Sequence, residues 1–198
     1  MTAKELFIES AYTNIKNGLI KIPADQKQDI YAISFYYYIE NDDLRFPTIH
    51  VSYNTNHQYK KEIKNASSEA EAKWNFAFWL QDELLRIGGL DNALLNNWFK
   101  ETPYYYSEEE DQKSLDDEDL FDDLFELGDA FDNEFIEAII LLTKRVFDEK
   151  IIDTIFGKQI PIIIHDLEYY EEPIDWTIRA NPTGLVDEFL QKYNNGFI

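Results

Sequence analysis

The chain has 198 residues, with 18 Lys and Arg against 39 Asp and Glu and a formal net charge of −21. Hydrophobic residues make up 44% and aromatic residues 16%, enough to build a core at this length, so the charge does not mark a disordered acidic chain. That charge excludes attraction to nucleic acid backbones or anionic membranes as the default use, and the lack of cysteine excludes disulfides, thiolate nucleophiles and cysteine-ligated zinc.

Thr2 and Glu5 have the spacing of a capping box. Phe7, Ala11, Ile15 and Leu19 then recur every four residues, which predicts a first helix bracketed at its end by Gly18 and Pro23. Met1 to Leu6 lack the basic patch and apolar run of a secretory signal, and no window approaches 18 uninterrupted apolar residues. A soluble cytoplasmic protein is expected. Ile30 to Ile39 is β-branched and aromatic without Gly or Pro, and predicts a strand. Asn41, Asp42 and Asp43 supply turn chemistry, and Thr48 to Tyr53 reads as the second strand of an antiparallel hairpin. Ser68 and Glu71 repeat the capping-box spacing. Ala70, Trp74, Ala77, Phe78, Gln81 and Leu85 then predict a longer helix that Gly88 and Gly89 end, followed by a short helix from Leu90 to about Lys100.

Glu101 to Ser114 reads as a loop, and beyond it the charge is concentrated. Residues 108–137 hold 15 carboxylates and one Lys, hence −14 of the −21, and the other 168 residues carry only −7. Leu120, Phe121, Leu124, Phe125, Gly128 and Phe131 recur at helical spacing within this stretch, which predicts an amphipathic acidic strip at 108–137. Asn133 is placed to cap a further helix burying Ile136, Ile139, Ile140, Thr143, Val146 and Phe147, with Lys144, Arg145 and Lys150 near its end. Gln159 to His165 reads as a buried strand. Asn181 and Pro182 resemble a helix start, ahead of the stripe Leu185, Val186, Phe189, Leu190 and Tyr193. The expected fold is α+β: a single domain of residues 1–198 with helices packed on a small antiparallel sheet.

No phosphate loop or nucleophile elbow is present, and the acidic strip lacks the spacing of a calcium loop. No cofactor and no metal are expected. Three histidines remain. His50 and His57 sit seven apart where strand runs into loop, a spacing that does not bring them together. His165 follows a buried strand and has Asp166 and Glu168 close by, a pattern that suits a general base or a carboxylate–histidine metal site. A hydrolase or metal-dependent enzyme centred on these three residues is therefore one reading. The other is a non-enzymatic binding protein. In that reading Asp116, Asp117, Asp119, Asp122 and Asp123 face a basic protein partner, flanked by Tyr104, Tyr105 and Tyr106 as interface aromatics. Of the clustered Tyr36, Tyr37 and Tyr38, strand alternation sends Tyr37 to the opposite face from the other two.

Three segments taken together carry a resemblance: Glu71 to Gln81 with Trp74, Asn75, Phe78 and Trp79; Phe156 to Tyr170 with Pro161, His165, Glu168 and Tyr169; and Ala180 to Phe189 with Asn181, Pro182 and Gly184. With the N-terminal helix and the tyrosine-rich strand, they resemble an uncharacterised bacterial family, a domain of unknown function. Such small acidic families are similar in character to immunity proteins encoded beside polymorphic toxins, the SMI-type superfamily being the familiar case. The resemblance implies a bacterial cytosolic protein whose basic partner is a toxin domain. It brings no catalytic motif and assigns no functional residue.

Overall fold

The structure is a computed structural model that describes residues 1–167 and 171–194. Helix α1 (Ala3–Lys21) begins with the expected capping box: Thr2 Oγ1 accepts the Glu5 N–H at 3.2 Å and the Glu5 carboxylate accepts the Thr2 N–H at 2.8 Å. Its four-residue stripe is buried as the spacing predicts. After a one-turn helix, α2 (Ala24–Lys27), strands β1 (Ile30–Ile39) and β2 (Pro47–Thr55) form the expected antiparallel hairpin, with Phe35 opposite Val51 and Tyr37 opposite Ile49. Asn41 and Asp42 make the turn with φ of 58° each, a left-handed backbone that these two residue types tolerate.

The next segment departs from the sequence pattern. After α3 (Asn56–Glu62), helix α4 (Glu69–Trp74) stops eleven residues short of Leu85. Asn75 becomes extended, and its side chain accepts the Ala77 N–H at 3.0 Å to start a 3₁₀ turn over Phe76–Phe78. The break has a packing cause. Trp74 and Trp79 are both buried on the same face of the sheet, whereas residues five apart on an α-helix point about 140° away from each other. The Trp79 indole N–H closes the segment by donating to the Lys73 carbonyl at 2.7 Å. Leu85–Gly88 is therefore strand β3, antiparallel to β2, and not the end of a helix. Gly88 terminates that strand at φ +84°, where a Cβ would lie 2.2 Å from the Pro47 carbonyl oxygen.

Helix α5 (Ala93–Glu101) is capped by Asn92, and α6 (Glu108–Ser114) occupies part of the stretch expected to be a loop. The acidic strip continues into α7 (Glu118–Asp148), one unbroken helix of 31 residues. Asn133 does not cap a second helix. It lies outward in mid-helix, bonded back to Asp129, because the stripe Leu124, Gly128, Phe131, Phe135, Ile139 runs through it in phase. Gly128 is needed for close approach: a Cβ there would sit 2.7 Å from Leu44 Cβ in the β1–β2 connection. After α8 (Ile151–Phe156), strand β4 (Ile162–His165) lies beside β1, with His165 opposite Tyr36.

That pairing is parallel, so the sheet, of order β3-β2-β1-β4, is mixed and not purely antiparallel as expected. The helices between β3 and β4 return the chain to the end of the sheet where β1 began, which is what a parallel neighbour requires. The outer edge of β4 is covered by two polar side chains. Thr177 Oγ1 bonds both N–H and C=O of Ile164 from α9 (Glu171–Ala180), and Asn181 does the same for Ile162. Those bonds, with a third from Asn181 Nδ2 to the Thr177 carbonyl at 2.8 Å, tie Asn181 to β4 and to the end of α9, so it does not start the last helix; α10 (Asp187–Asn194) begins later. One face of the sheet packs Phe35, Val51 and Ile164 against α1, α5, α7 and α8. The other packs Ala32 and Ile163 against Trp74, Trp79, Ile174 and Phe189. Among the described residues no helix is long and apolar enough to cross a membrane.

Candidate interaction surface

The ends of the acidic strip are neutralised from within the chain. At its start, Arg45 is almost fully buried and its guanidinium reaches Asp43 at 2.5 Å, Glu108 at 2.9 Å and Asp111 at 3.1 Å. It also lies 5.4 Å from the rings of Phe46 and Tyr106, so one cation fastens α6 to the hairpin. The bidentate contact with Asp43 holds Arg45 firmly charged, while burial pushes the Asp111 carboxyl up. Lys113 pairs with Glu109 on the same helix. At the far end Lys4 takes Glu134 at 2.7 Å and Arg179 takes Glu137.

Between those ends, Asp116, Asp117, Glu118, Asp119, Asp122, Asp123 and Glu126 are all exposed, and none forms an ion pair among the described residues. The five aspartates expected at an interface thus share one surface at the α6–α7 turn and along the first turns of α7. Asp117 has a structural duty as well: its side chain caps α7 by accepting the Leu120 N–H at 3.2 Å.

Apolar side chains stand among these carboxylates. Phe121 and Phe125 do not join the buried stripe; they are 50% and 54% exposed and stack on each other with centroids 6.3 Å apart. They lie about 100° around the helix from Leu120 and Leu124, which face inward. With Leu115, 72% exposed, they line an open groove of about 490 Å³ between the α6–α7 turn and the β1–β2 connection. Asp42, exposed and with no ion pair among the described residues, also lines it, as do Asp43 and Asp111, which are paired to Arg45.

The flanking tyrosines divide. Tyr105 is exposed, Tyr104 packs partly against the core, and Tyr106 is buried between Phe99 and Arg45. Burial pushes the Tyr106 hydroxyl up to about 12. Tyr106 is thus a core residue of the groove wall and not an exposed interface tyrosine, because Gly128 leaves room for its hydroxyl beneath α7.

His165 lies away from this surface. It is fully buried, its Nε2 is 2.7 Å from Ser34 Oγ, and its Nδ1 is 2.9 Å from the Asp166 carbonyl oxygen. A carbonyl only accepts, so Nδ1 carries the proton and Nε2 accepts from the serine. The ring is enclosed by Phe76, Tyr36 and Trp79 at 4.9 to 5.8 Å, and burial lowers its pKa to about 4. Asp166 meets it through the main chain, and Glu168 lies outside the described residues. His50 is half-buried on β2, with burial lowering its pKa; His57 is exposed on α3 and lines a different depression. Among the described residues, no group of three or more His, Asp or Glu is placed to hold a metal ion.

One perturbed carboxyl stands at the inner end of the strip. Asp132 lies beside Tyr37, which points from β1 into the α7 side of the sheet and packs edge-on to Trp176. Its Oδ1 is sealed from solvent with no hydrogen-bond partner, and burial pushes the carboxyl up to about 7. Tyr36 and Tyr38 stack on the opposite face, as alternation requires. No family model, curated protein or solved structure matches this chain, so the family resemblance draws no support from a relative.

The buried cation Arg45, the groove residue Leu44 and the outward orientation of Phe121 and Phe125 are what sequence reasoning missed. The signal for the pair was available in their four-residue spacing among acids on both sides, which is ambiguous between a wide inner stripe and an outer ridge.

Proposed function

We propose that this chain is a non-enzymatic, cytoplasmic binding protein whose acidic α7 surface engages a cationic protein partner, as a bacterial immunity protein engages a toxin domain. The observation that carries the reading is the block from Asp116 to Glu126. The chain supplies cations to both ends of its acidic strip and none to the middle among the described residues. Among the described residues no cation offsets the self-repulsion there, and a partner rich in Lys and Arg would relieve it. One four-stranded sheet packed by helices on both faces supports a single α+β domain as the platform.

The test is association with the protein encoded by the neighbouring gene, where that gene encodes a toxin with a basic domain, followed by stopped-flow fluorescence. Replacing Asp116, Asp117, Asp119, Asp122 and Asp123 by Asn keeps the cap at 117, since Asn caps as well as Asp. The on-rate should fall at least about tenfold at low salt and lose most of its salt dependence. An unchanged on-rate that ignores salt in both proteins refutes the reading.

A further inference from the structure

Beyond its charge, the surface has a shape that narrows the partner further. Leu115, Phe121 and Phe125 stay exposed although the neighbouring positions are acidic, and they converge on one groove. Contiguous exposed apolar surface of this kind marks a contact site, because a solvated face gains nothing from it. The floor is apolar, formed by Ile39, Leu44 and Leu124.

The geometry points to an amphipathic cationic helix as the occupant, with its apolar side chains seated against Phe121 and Phe125 and its Lys and Arg facing Asp42 and the acidic block from Asp116 to Glu126. This rests on the acidic-surface reading and adds to it the source of affinity and the form of the partner. Charge complementarity selects the sign. A second copy of this chain carries −21 and would bring one acidic block against another, and an anionic amphiphile meets the same repulsion. Main-chain pairing is closed as a mode of recognition. The groove is lined by helices and by the β1–β2 connection, and β1 already has a partner on each side. Side-chain packing is what the site offers, which is how grooves recognise amphipathic helices.

The probe is a 15-residue peptide of Leu and Lys patterned at the helical period, compared with a shuffled peptide of the same composition. Both are titrated by calorimetry into the full chain at physiological salt. The patterned peptide should bind at least tenfold more tightly than the shuffled one. Phe121→Ser with Phe125→Ser should remove at least tenfold of that affinity and leave the shuffled peptide unaffected; both positions are exposed, and circular dichroism verifies the fold. Equal binding of the two peptides, with no effect of the double variant, overturns the groove and leaves the acidic surface standing. Binding lost in the double variant but untouched by the five Asn substitutions and by salt overturns the cationic occupant together with the acidic-surface reading. A dimer in sedimentation velocity that the double variant disperses places a second copy in the groove and overturns the inference.

Discussion

Asp132→Asn is a nearly isosteric change that reports on the packing of α7 against the sheet. In the folded chain the carboxyl titrates near 7, against 3.8 for an unperturbed carboxyl. A carboxyl whose folded pKa is raised binds more protons in the native state than in the unfolded one between those values, so stability falls as pH rises through that window. The penalty is about 4 kcal/mol at pH 8.5 and about 1.5 kcal/mol at pH 5. Amide and protonated carboxyl have nearly the same shape and the amide does not titrate, so the constant part of the substitution is the same at both pH values. The gain in stability from Asp132→Asn should therefore be larger at pH 8.5 than at pH 5 by about 2.5 kcal/mol. For a chain of this size that is a difference of roughly 5–10 °C in melting temperature. Thermal and urea denaturation of both proteins at the two pH values measure it, and every other titrating group cancels in the comparison. Equal shifts at pH 5 and pH 8.5 would refute a strained ionised carboxyl beneath α7.

His165 works in the opposite sense. Its folded pKa of about 4 lies below the unfolded 6.5, so its contribution is complete above pH 6.5 and is lost as pH falls toward 4, by about 3 kcal/mol. His165→Gln should flatten that acid limb in urea titrations between pH 4 and 6.5, and an unchanged limb would place the ring in contact with water. Removing the Arg45 guanidinium as Arg45→Met strands Asp43 and Asp111. Breaking a fully buried pair costs about 3–5 kcal/mol, but these carboxylates keep 19% and 34% of their exposure, so about 2–3 kcal/mol is expected. Hydrogen exchange should quicken across Glu108–Ser114 in that variant, and wild-type protection there would show that α6 is held by something else.

Elements whose pattern is local were legible in the sequence. Ile30 to Ile39 has too many branched and aromatic residues for anything but a strand, and Thr2 with Glu5 announces the first helix. Strand β3 was not legible, because four residues ending in glycine give no period to detect and the preceding tryptophans imitate a helical stripe. Helix α9 hid behind Pro173, which the first turn of a helix accommodates because an N–H at that position has no intrahelical acceptor to lose. The parallel pairing of β4 depends on where the four helices α5 to α8 deliver the chain, and no local pattern records it. At the surface, composition located the exposed aspartates. It could not separate Asp132 from its neighbours, since what makes that carboxyl different is its burial beneath α7 beside Tyr37, some ninety-five positions earlier in the chain. Arg45 was one base beside three turn residues, with its carboxylate partners on α6 brought to it only by folding.

Helix α7 is electrically one-ended. Glu118 to Asp132 contain seven carboxylates and no base, whereas Asn133 to Asp148 contain three carboxylates with Lys144 and Arg145 among them. At about 1.5 Å per residue the two ends lie some 45 Å apart. The negative end coincides with the positive pole of the helix dipole, so Glu118 and Asp119 sit where an isolated carboxylate is best tolerated. To a cation still several Debye lengths away only the net charge matters, but within one such length the field has direction. On the elongated cationic partner proposed above, it would exert a torque that turns one end toward Asp116 and Asp119 before any atoms touch, so orientation would be selected during approach and not after collision.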